Sequence, residues 1–370
     1  MAWPTVIIKI LNLMNGPIAD IECHFLFVIR GTVSGDVRNL IMVDSTSDLD
    51  EALEDAHPEG LAIVKAAQLN GKQAWTAGVM IIDEGDNWQD AIKKANEVSS
   101  FEFFVLGFDA DSKQMLEDAI ALRHELKNAL GREVGVLCQL PAIQTDSEEG
   151  QTWAQWLADT VAIPLNVASE YISVVPNVHA AGDTLGKYAG RLANKEVSIA
   201  DSPARVQTGS VLGNTELMKD KDGKSLDLAT LKTLEQNRLA VPMWYPDYPG
   251  QYWTTGNTLD VPGGDYQDIR HIRVAMKAAR KVRIRAIARI ADRTLNSTPS
   301  SIAAAKLYFT QDLRRMALTG VPGEIMPPQD DDIDIKWVSS TEVEIYMQVQ
   351  PYDCPVKITI AISIKPGDNS

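Results

Sequence analysis

Hydrophobic positions in the first part of the chain cluster into short, nearly uninterrupted runs. These are PTVIIKILNL (residues 4–13), CHFLFVIRG (23–31), LIMV (40–43) and AWTAGVMIID (74–83). Runs of this length, rich in β-branched and aromatic residues and bounded by turn formers, predict strands buried on both faces. Gly16-Pro17 closes the first. After LIMV, the stretch DSTSDLDEALEDAHPEG predicts a short acidic helix capped by Ser45 or Ser47.

The pattern is sharpest in SFEFFVLGFDADSKQMLEDAIALRHELKNALGREVGVLCQLP. Here Phe103–Leu106 reads as a strand, Asp109 to Ser112 as a turn and helix start, and Lys113–Leu130 as a helix. Gly131 stops that helix, and Glu133–Leu140 reads as the next strand. A βαβ unit predicts a right-handed crossover and a parallel pair. WAQWLADTVA and EYISVVPNV add a further helix and strand. The fold class expected is therefore α/β, with a central, mostly parallel sheet and flanking helices.

From Ala180 to about Ser225 the pattern weakens to one short helix and loops. Beyond it come a helix at Leu228–Leu239, an aromatic, turn-rich block YPDYPGQYWTTGNTL, a long basic helix, and a helix from about Ser301 to Leu318. GVPGEIMPPQDDD reads as a loop. The remainder, to residue 366, predicts three strands with period-two alternation, so the C-terminal region is α+β.

Composition changes this picture little. The chain has 370 residues, 45% of them hydrophobic and 23% charged, which is enough for a sizeable core in one large or two smaller domains. A net charge of −15 argues against direct nucleic-acid binding. No apolar run is long enough to span a bilayer and the N-terminus lacks the marks of a signal peptide, so no membrane insertion and a cytoplasmic site of synthesis are expected. Cys23, Cys138 and Cys354 have neither disulfide nor zinc spacing and read as small core hydrophobes.

Candidate chemistry is sparse. Neither GxGxxG nor GxxxxGK[ST] occurs, TGSVLG lacks nucleophile-elbow spacing, and the five histidines show no ligand spacing. FDADS is either a metal-binding Asp pair or, the better reading, an acidic helix N-cap. QDDDID reads as a solvated loop rather than a calcium site. An α/β enzyme would have to work around Asp109, Asp111 and His179, which share no recognisable motif. No catalytic residue, metal or cofactor is assigned.

Charge is more informative. Between Arg270 and Arg293, nine basic residues face a single acid, Asp292, so this segment carries +8 against −23 in the rest of the chain. At helical spacing Arg270, Arg273, Lys277, Arg280, Lys281 and Arg285 share one side. Ile272, Met276, Ala279, Val282, Ala286 and Ile290 share the other. Either the basic face is solvated, or it is kept positive to meet an acidic partner such as another copy. Both termini are apolar and strand-like. Val6, Ile7, Ile8 and Ile10 at one end, and Val356, Ile358, Ile360, Ile362 and Ile364 at the other, suit an edge strand or a strand lent to a neighbour.

Several of these segments, in order, resemble the contractile tail sheath proteins of bacteriophages. LKTLEQNRLAVPMWYPDYPGQYWTTGNTL is similar to the helix and aromatic block of that family, and YQDIRHIRVAMKAARKVRIRAI to the long helix after it. STPSSIAAAKLYFTQDLRRMALTGVPG resembles the next helix, and VEIYMQVQPYDCPVKITIAISI the terminal hairpin. Upstream, LIMVDSTSDLDEAL and AGRLANKEVSIADSPARV resemble two further family passages. The resemblance implies an N-terminal arm (1–22), an α/β body (23–225), a sheath-core region (226–350) and a C-terminal arm (351–370), with terminal strands exchanged between subunits. It implies a non-enzymatic subunit of a helical array around an inner tail tube, in contact with baseplate and tail terminator proteins. Such an array, in a virion tail assembled in the bacterial cytoplasm, would contract to drive the tube through the host envelope. A tailocin or secretion-type sheath, or a non-contractile scaffold, is the nearest alternative. On this reading the aromatic block is a joint, with Trp244, Tyr252 and Trp253 filling the gap between layers, and the basic face contacts tube or neighbour.

Overall fold

The computed structural model describes residues 21–33, 39–146 and 148–362. Val6, Ile7, Ile8, Ile10 and Ile364 therefore lie outside the described residues.

Six strands form the central sheet: β1 (His24–Arg30), β2 (Leu40–Asp44), β3 (Thr76–Ile82), β4 (Phe103–Asp109), β5 (Gly135–Leu140) and β6 (Ile172–Pro176). Their order is β2-β3-β1-β4-β5-β6. All neighbours run parallel except β2, which lies antiparallel on the edge of β3. The expected parallel βαβ crossover joins β4 to β5 through α4 (Lys113–Leu130), which ends where the sequence places its stop: Gly131 adopts φ 62°, left-handed.

Both faces of the sheet are buried, which is why its strands read as apolar runs rather than alternations. Leu26, Val28, Phe104, Leu106, Val136 and Val174 pack beneath α3 (Trp88–Val98), α4, α5 (Trp153–Ala162) and α7 (Leu228–Gln236). Phe25, Phe27, Ile29, Val79, Val105 and Leu137 face the other way, onto α1 (Leu49–Ala52), α2 (Pro58–Gly71), α6 (Thr184–Ala193) and the start of α8 (Ile269–Ile287). The body is a three-layer α/β/α unit.

Local details differ from expectation for identifiable reasons. Asp48, not Ser45 or Ser47, caps α1, accepting from the amides of Asp50 and Glu51. Ser45 instead donates to the Gln73 carbonyl, and Ser47 bonds Asp44. The acidic pair after β4 is not the cap of α4 either. Ser112 stands there without a side-chain bond, and Asp109 ends the strand, accepting from Gln139.

The aromatic block is a hairpin, β7 (Pro242–Tyr245) and β8 (Tyr248–Trp253). Trp244 packs against the first core and Trp253 joins the second, as a joint requires. Tyr252, buried, stacks with Tyr245 and Tyr248, which are exposed. The body cores also include Leu226, Leu231, Leu234, Leu239 and Leu259, and on the second face Trp253, Ile269, Ile272 and Met276, so the packing continues without a break across residue 225.

Two small cores serve the C-terminal region. One joins Val274 and Ala278 of α8 to Leu313 and Met316 of α9 (Pro299–Ala317), with Cys23 and Ile325. The other joins Phe309 of α9 to Ile333 and Ile335 in β9 (Ile333–Trp337). Ile345 of β10 (Val343–Met347), antiparallel to β9, covers it. The third C-terminal strand does not form among the described residues: residues 356–362 carry no strand pairing.

Candidate functional site

The two features that sequence marks for function, the basic helix and the C-terminal strand, sit on one side of the body. Asp268 caps α8 by accepting from the Arg270 amide at 3.0 Å. The helix then lies across the amino ends of β1, β4 and β5. Its partners are the residues just before those strands: Glu22 and Cys23, Glu102, and Glu133.

Arg273 makes the central contact. Its Nε and Nη2 donate to the two Glu102 oxygens at 2.7 and 2.8 Å, a bidentate pair in which both side chains are buried. The Cys23 amide donates to the same carboxylate at 2.6 Å, and Arg273 Nη2 also approaches Cys23 Sγ at 3.6 Å. Burial alone would push the Glu102 carboxyl up, but the Arg273 charge and hydrogen bonds, with Arg280 behind them, hold it below the usual carboxylate range. The same partners keep the Arg273 guanidinium protonated against its burial. Burial pushes the neighbouring Cys23 thiol up.

The other five residues of the expected basic face are also placed against their own chain. Arg270 pairs with Asp268 at 2.8 Å and donates to the Tyr352 carbonyl at 2.9 Å. Lys277 pairs with Glu324 at 2.7 Å. Arg280 pairs with Glu22 at 2.7 Å and donates to the Glu133 carbonyl at 3.1 Å. Arg285 binds Asp312 in a fork and lies over the Tyr308 ring. Lys281 is half-buried beside them. The expectation of one outward basic face is corrected: Arg273, Lys277, Arg280 and Arg285 turn inward to carboxylates contributed by distant segments, and Arg270 to the capping Asp268. The apolar side is corrected too. Ile272 and Met276 enter the body core, and Val282 and Ala286 the C-terminal one, but Ala279 and Ile290 are exposed.

The C-terminal segment peels away from this assembly in stages. Gln348 and Gln350 still bond backbone of the C-terminal region, at Asp332 and Met326, and Arg270 holds Tyr352. Past Pro355 every described residue is exposed. Val356, Ile358, Ile360 and Ile362 are 65%, 74%, 76% and 89% exposed. Just before them in sequence, β9 and β10 form a sheet of only two strands.

The residues proposed for an enzyme do not converge. Asp109 bonds Gln139, and Asp111 is exposed. His179 is buried two strands away, bonded to Gln251 at 2.9 Å and Thr184 at 3.1 Å, and burial lowers its pKa to about 4, so it is a neutral ring bracing the joint hairpin. Among the described residues no three His, Cys, Asp or Glu side chains are placed to hold a metal ion, and no helix is long and apolar enough to cross a membrane. QDDDID forms a single 3-10 turn, Asp330–Asp332, leading into β9.

Comparison with known proteins agrees with this arrangement. The DUF2586 N-terminal domain family matches residues 3–257 and the DUF2586 C-terminal domain family residues 265–366. A chain of Haemophilus phage HP1 (strain HP1c1), provisionally named a tail sheath protein, is 43% identical over 373 residues, covering 97% of each chain. The fold is similar to that of the anti-feeding prophage helical sheath in its contracted state, with TM-score 0.63 at 12% identity over 98% of this chain and 99% of that one. A sheath tail protein from Listeria innocua gives TM-score 0.61 at 9% identity, covering 91% and 93% of the two chains. At such low identities these two show the fold alone.

Proposed function

The chain belongs to the DUF2586 family and, with its Haemophilus phage HP1 relative, to the phage tail sheath proteins; on that premise we propose that it polymerises through its C-terminal arm. It is a structural subunit of a contractile tail sheath and a component of the virion tail. The observation that carries the mechanism is the pairing of an incomplete sheet with an unpaired strand. A two-stranded sheet is marginal by itself, and a third strand stabilises it. The arm 356–362 alternates in period two and presents Val356, Ile358, Ile360 and Ile362 to solvent. Lent to the β9–β10 hairpin of a neighbour, it would bury that row and satisfy backbone groups along a free edge. A head-to-tail contact of this kind does not close on itself, so it generates a helix of subunits.

The same geometry suits contraction. The arm leaves its own subunit after Tyr352, which Arg270 anchors at the root. Lent strands keep neighbours joined by main-chain bonds while the bodies rotate and slide past one another. In this reading residues 1–22 and 351–370 act as arms, 23–225 as the body and 226–350 as the sheath core. Val6, Ile7, Ile8, Ile10 and Ile364 join the exchanged strands. The energy for driving an inner tube through an envelope is stored in the extended assembly, so no nucleotide is consumed. Tube, baseplate and terminator proteins are its further partners.

Deleting residues 355–370 tests this directly. The truncated chain should melt like the full one and remain monomeric, with no ribbed cylinders in negative stain. Normal-length tubes from the truncated chain would refute arm exchange.

A further inference from the structure

We propose that Arg132 and Arg283 form a receptor for a carboxylate presented by a second copy of this chain. The inference rests on the sheath reading and adds to it a contact separate from the arms. It starts from the inward pairing of α8. With Arg270, Arg273, Lys277, Arg280 and Arg285 matched to Asp268, Glu102, Glu324, Glu22 and Asp312, Arg283 stands apart: it is exposed and, among the described residues, makes no hydrogen bond or ion pair.

Arg283 lies across the turn that ends α4. Gly131 there is left-handed and has no side chain, and a Cβ at that position would overlap the Arg283 guanidinium. The next residue is Arg132. Its terminal nitrogens reach only neutral acceptors, Ser100 Oγ and the Asn96 carbonyl, and its Nε is buried without an acceptor. Burial, and then the Arg283 charge, lower the Arg132 pKa, which places the two cations in each other's field.

The two arginines border a cavity of about 320 Å³ whose lining also includes Ile21, Phe101 and Ile284. Three carboxylates line its wall, and each is engaged elsewhere. Glu22 holds Arg280; Glu133 holds Arg123 and Lys127; Asp312 holds Arg285 and Arg315. Two guanidiniums without a counter-charge among the described residues, at the mouth of a partly apolar hollow, are suited to bind a carboxylate flanked by apolar residues. A second copy is the occupant favoured by charge. Outside the basic segment the chain carries −23, and a helical array holds such surfaces against every subunit.

The test uses the full-length chain, assembled without tube protein. Arg283→Glu is the leading variant because the side chain is exposed and its loss does not endanger the fold; Arg283→Gln and Arg132→Lys accompany it. At constant melting temperature, Arg283→Glu should raise the concentration for half-maximal assembly by about tenfold or more, the factor that 1.4 kcal/mol of lost contact implies. Arg283→Gln should fall between it and wild type, Arg132→Lys should keep most assembly, and the salt sensitivity of assembly should flatten in the Glu variant. Unchanged assembly and salt dependence in Arg283→Glu would overturn the proposal. So would normal tube-free assembly combined with lost binding to purified tube protein, which would assign the site to the tube. Failure of the wild-type chain to polymerise under any condition would instead strike at the sheath reading, and this contact would fall with it.

Discussion

The α/β body and the C-terminal hairpin treat their hydrophobic edges in opposite ways. The six-stranded sheet of the body is buried on both faces, and its β6 edge is closed by loop backbone: Ala240 donates to Val174 at 2.9 Å and Leu259 to Ile172 at 2.8 Å. The β9–β10 sheet has two strands, and the aliphatic strand that follows it in sequence lies unpaired in solvent. One region has completed its hydrogen-bonding and burial within the chain. The other has all the parts of a third strand and leaves them unused. On the proposed reading stability resides in the body and assembly in the C-terminal region, and α8 joins the two, with its first half in the body core and its second in the C-terminal one.

If that division is right, the severest single lesion to folding lies in the weld beneath α8. Glu102→Ala would leave Arg273 buried without a counter-charge, which typically costs about 3–5 kcal/mol. Urea unfolding should show the loss. The double change Glu102→Leu with Arg273→Met should recover much of it, because no charge is then stranded. A Glu102→Ala protein as stable as wild type would mean that the weld is not what holds α8 to the body.

Acid should weaken the body next. His179 is buried and His24 half-buried, and desolvation is the main cause lowering each pKa to about 4, against 6.5 as the ordinary value. Between those two pH values the unfolded chain binds the protons and the folded chain does not, so stability falls as pH drops from 6.5 to about 4. Each ring contributes at most about 3 kcal/mol, at 1.36 kcal/mol per pH unit. The Glu102 carboxyl is depressed instead, so its contribution persists until pH falls through its own lower value. Denaturant midpoints measured from pH 7 to 4 should slope steadily downward, and His179→Gln should flatten part of the slope. A flat profile would remove both histidines from the account.

A smaller effect is expected where α2 and α6 meet. A Cβ on Gly186 would overlap the Ile63 carbonyl, so Gly186→Ala forces the helices apart at a cost of about 1–3 kcal/mol. This contact also shows what sequence could not reveal. Helix α2 is lined with Gly60, Ala66, Ala67 and Gly71 and buries most of its girth, so it carries no contrast between faces, and its apolar pattern does not announce a helix. The β4–α4–β5 unit was legible because both strands are largely apolar, α4 is long and periodic, and Gly131 marks its end. The charge excess of α8 was legible in the same way. Its inward direction was not, because Glu22, Glu102, Asp312 and Glu324 come from segments spread across the chain, and no local periodicity encodes them. The alternation of Val356 to Ile362 reads as a strand, but pairing needs an edge, and among the described residues the segment takes none.

The smallest expected effect on folding is the most informative about assembly. Residues 356–362 are exposed and pair with no strand of their own chain, so substitutions there should change monomer stability by no more than about 0.5 kcal/mol. Two substitutions separate the forces that a lent strand would use. Thr359→Pro removes a backbone N–H and fixes φ while leaving the aliphatic row intact. Ile360→Ser keeps the backbone and removes one member of that row. If main-chain pairing to a neighbour's hairpin is what joins subunits, the proline variant should fail to form tubes. The serine variant should form them at a concentration raised by the loss of one buried side chain, worth about 1.5–3 kcal/mol. If both variants assembled normally, the arm would not be the joining element. If instead both destabilised the monomer, the segment would pack on its own subunit in solution, and the contrast between a closed body and an open C-terminal sheet would be lost.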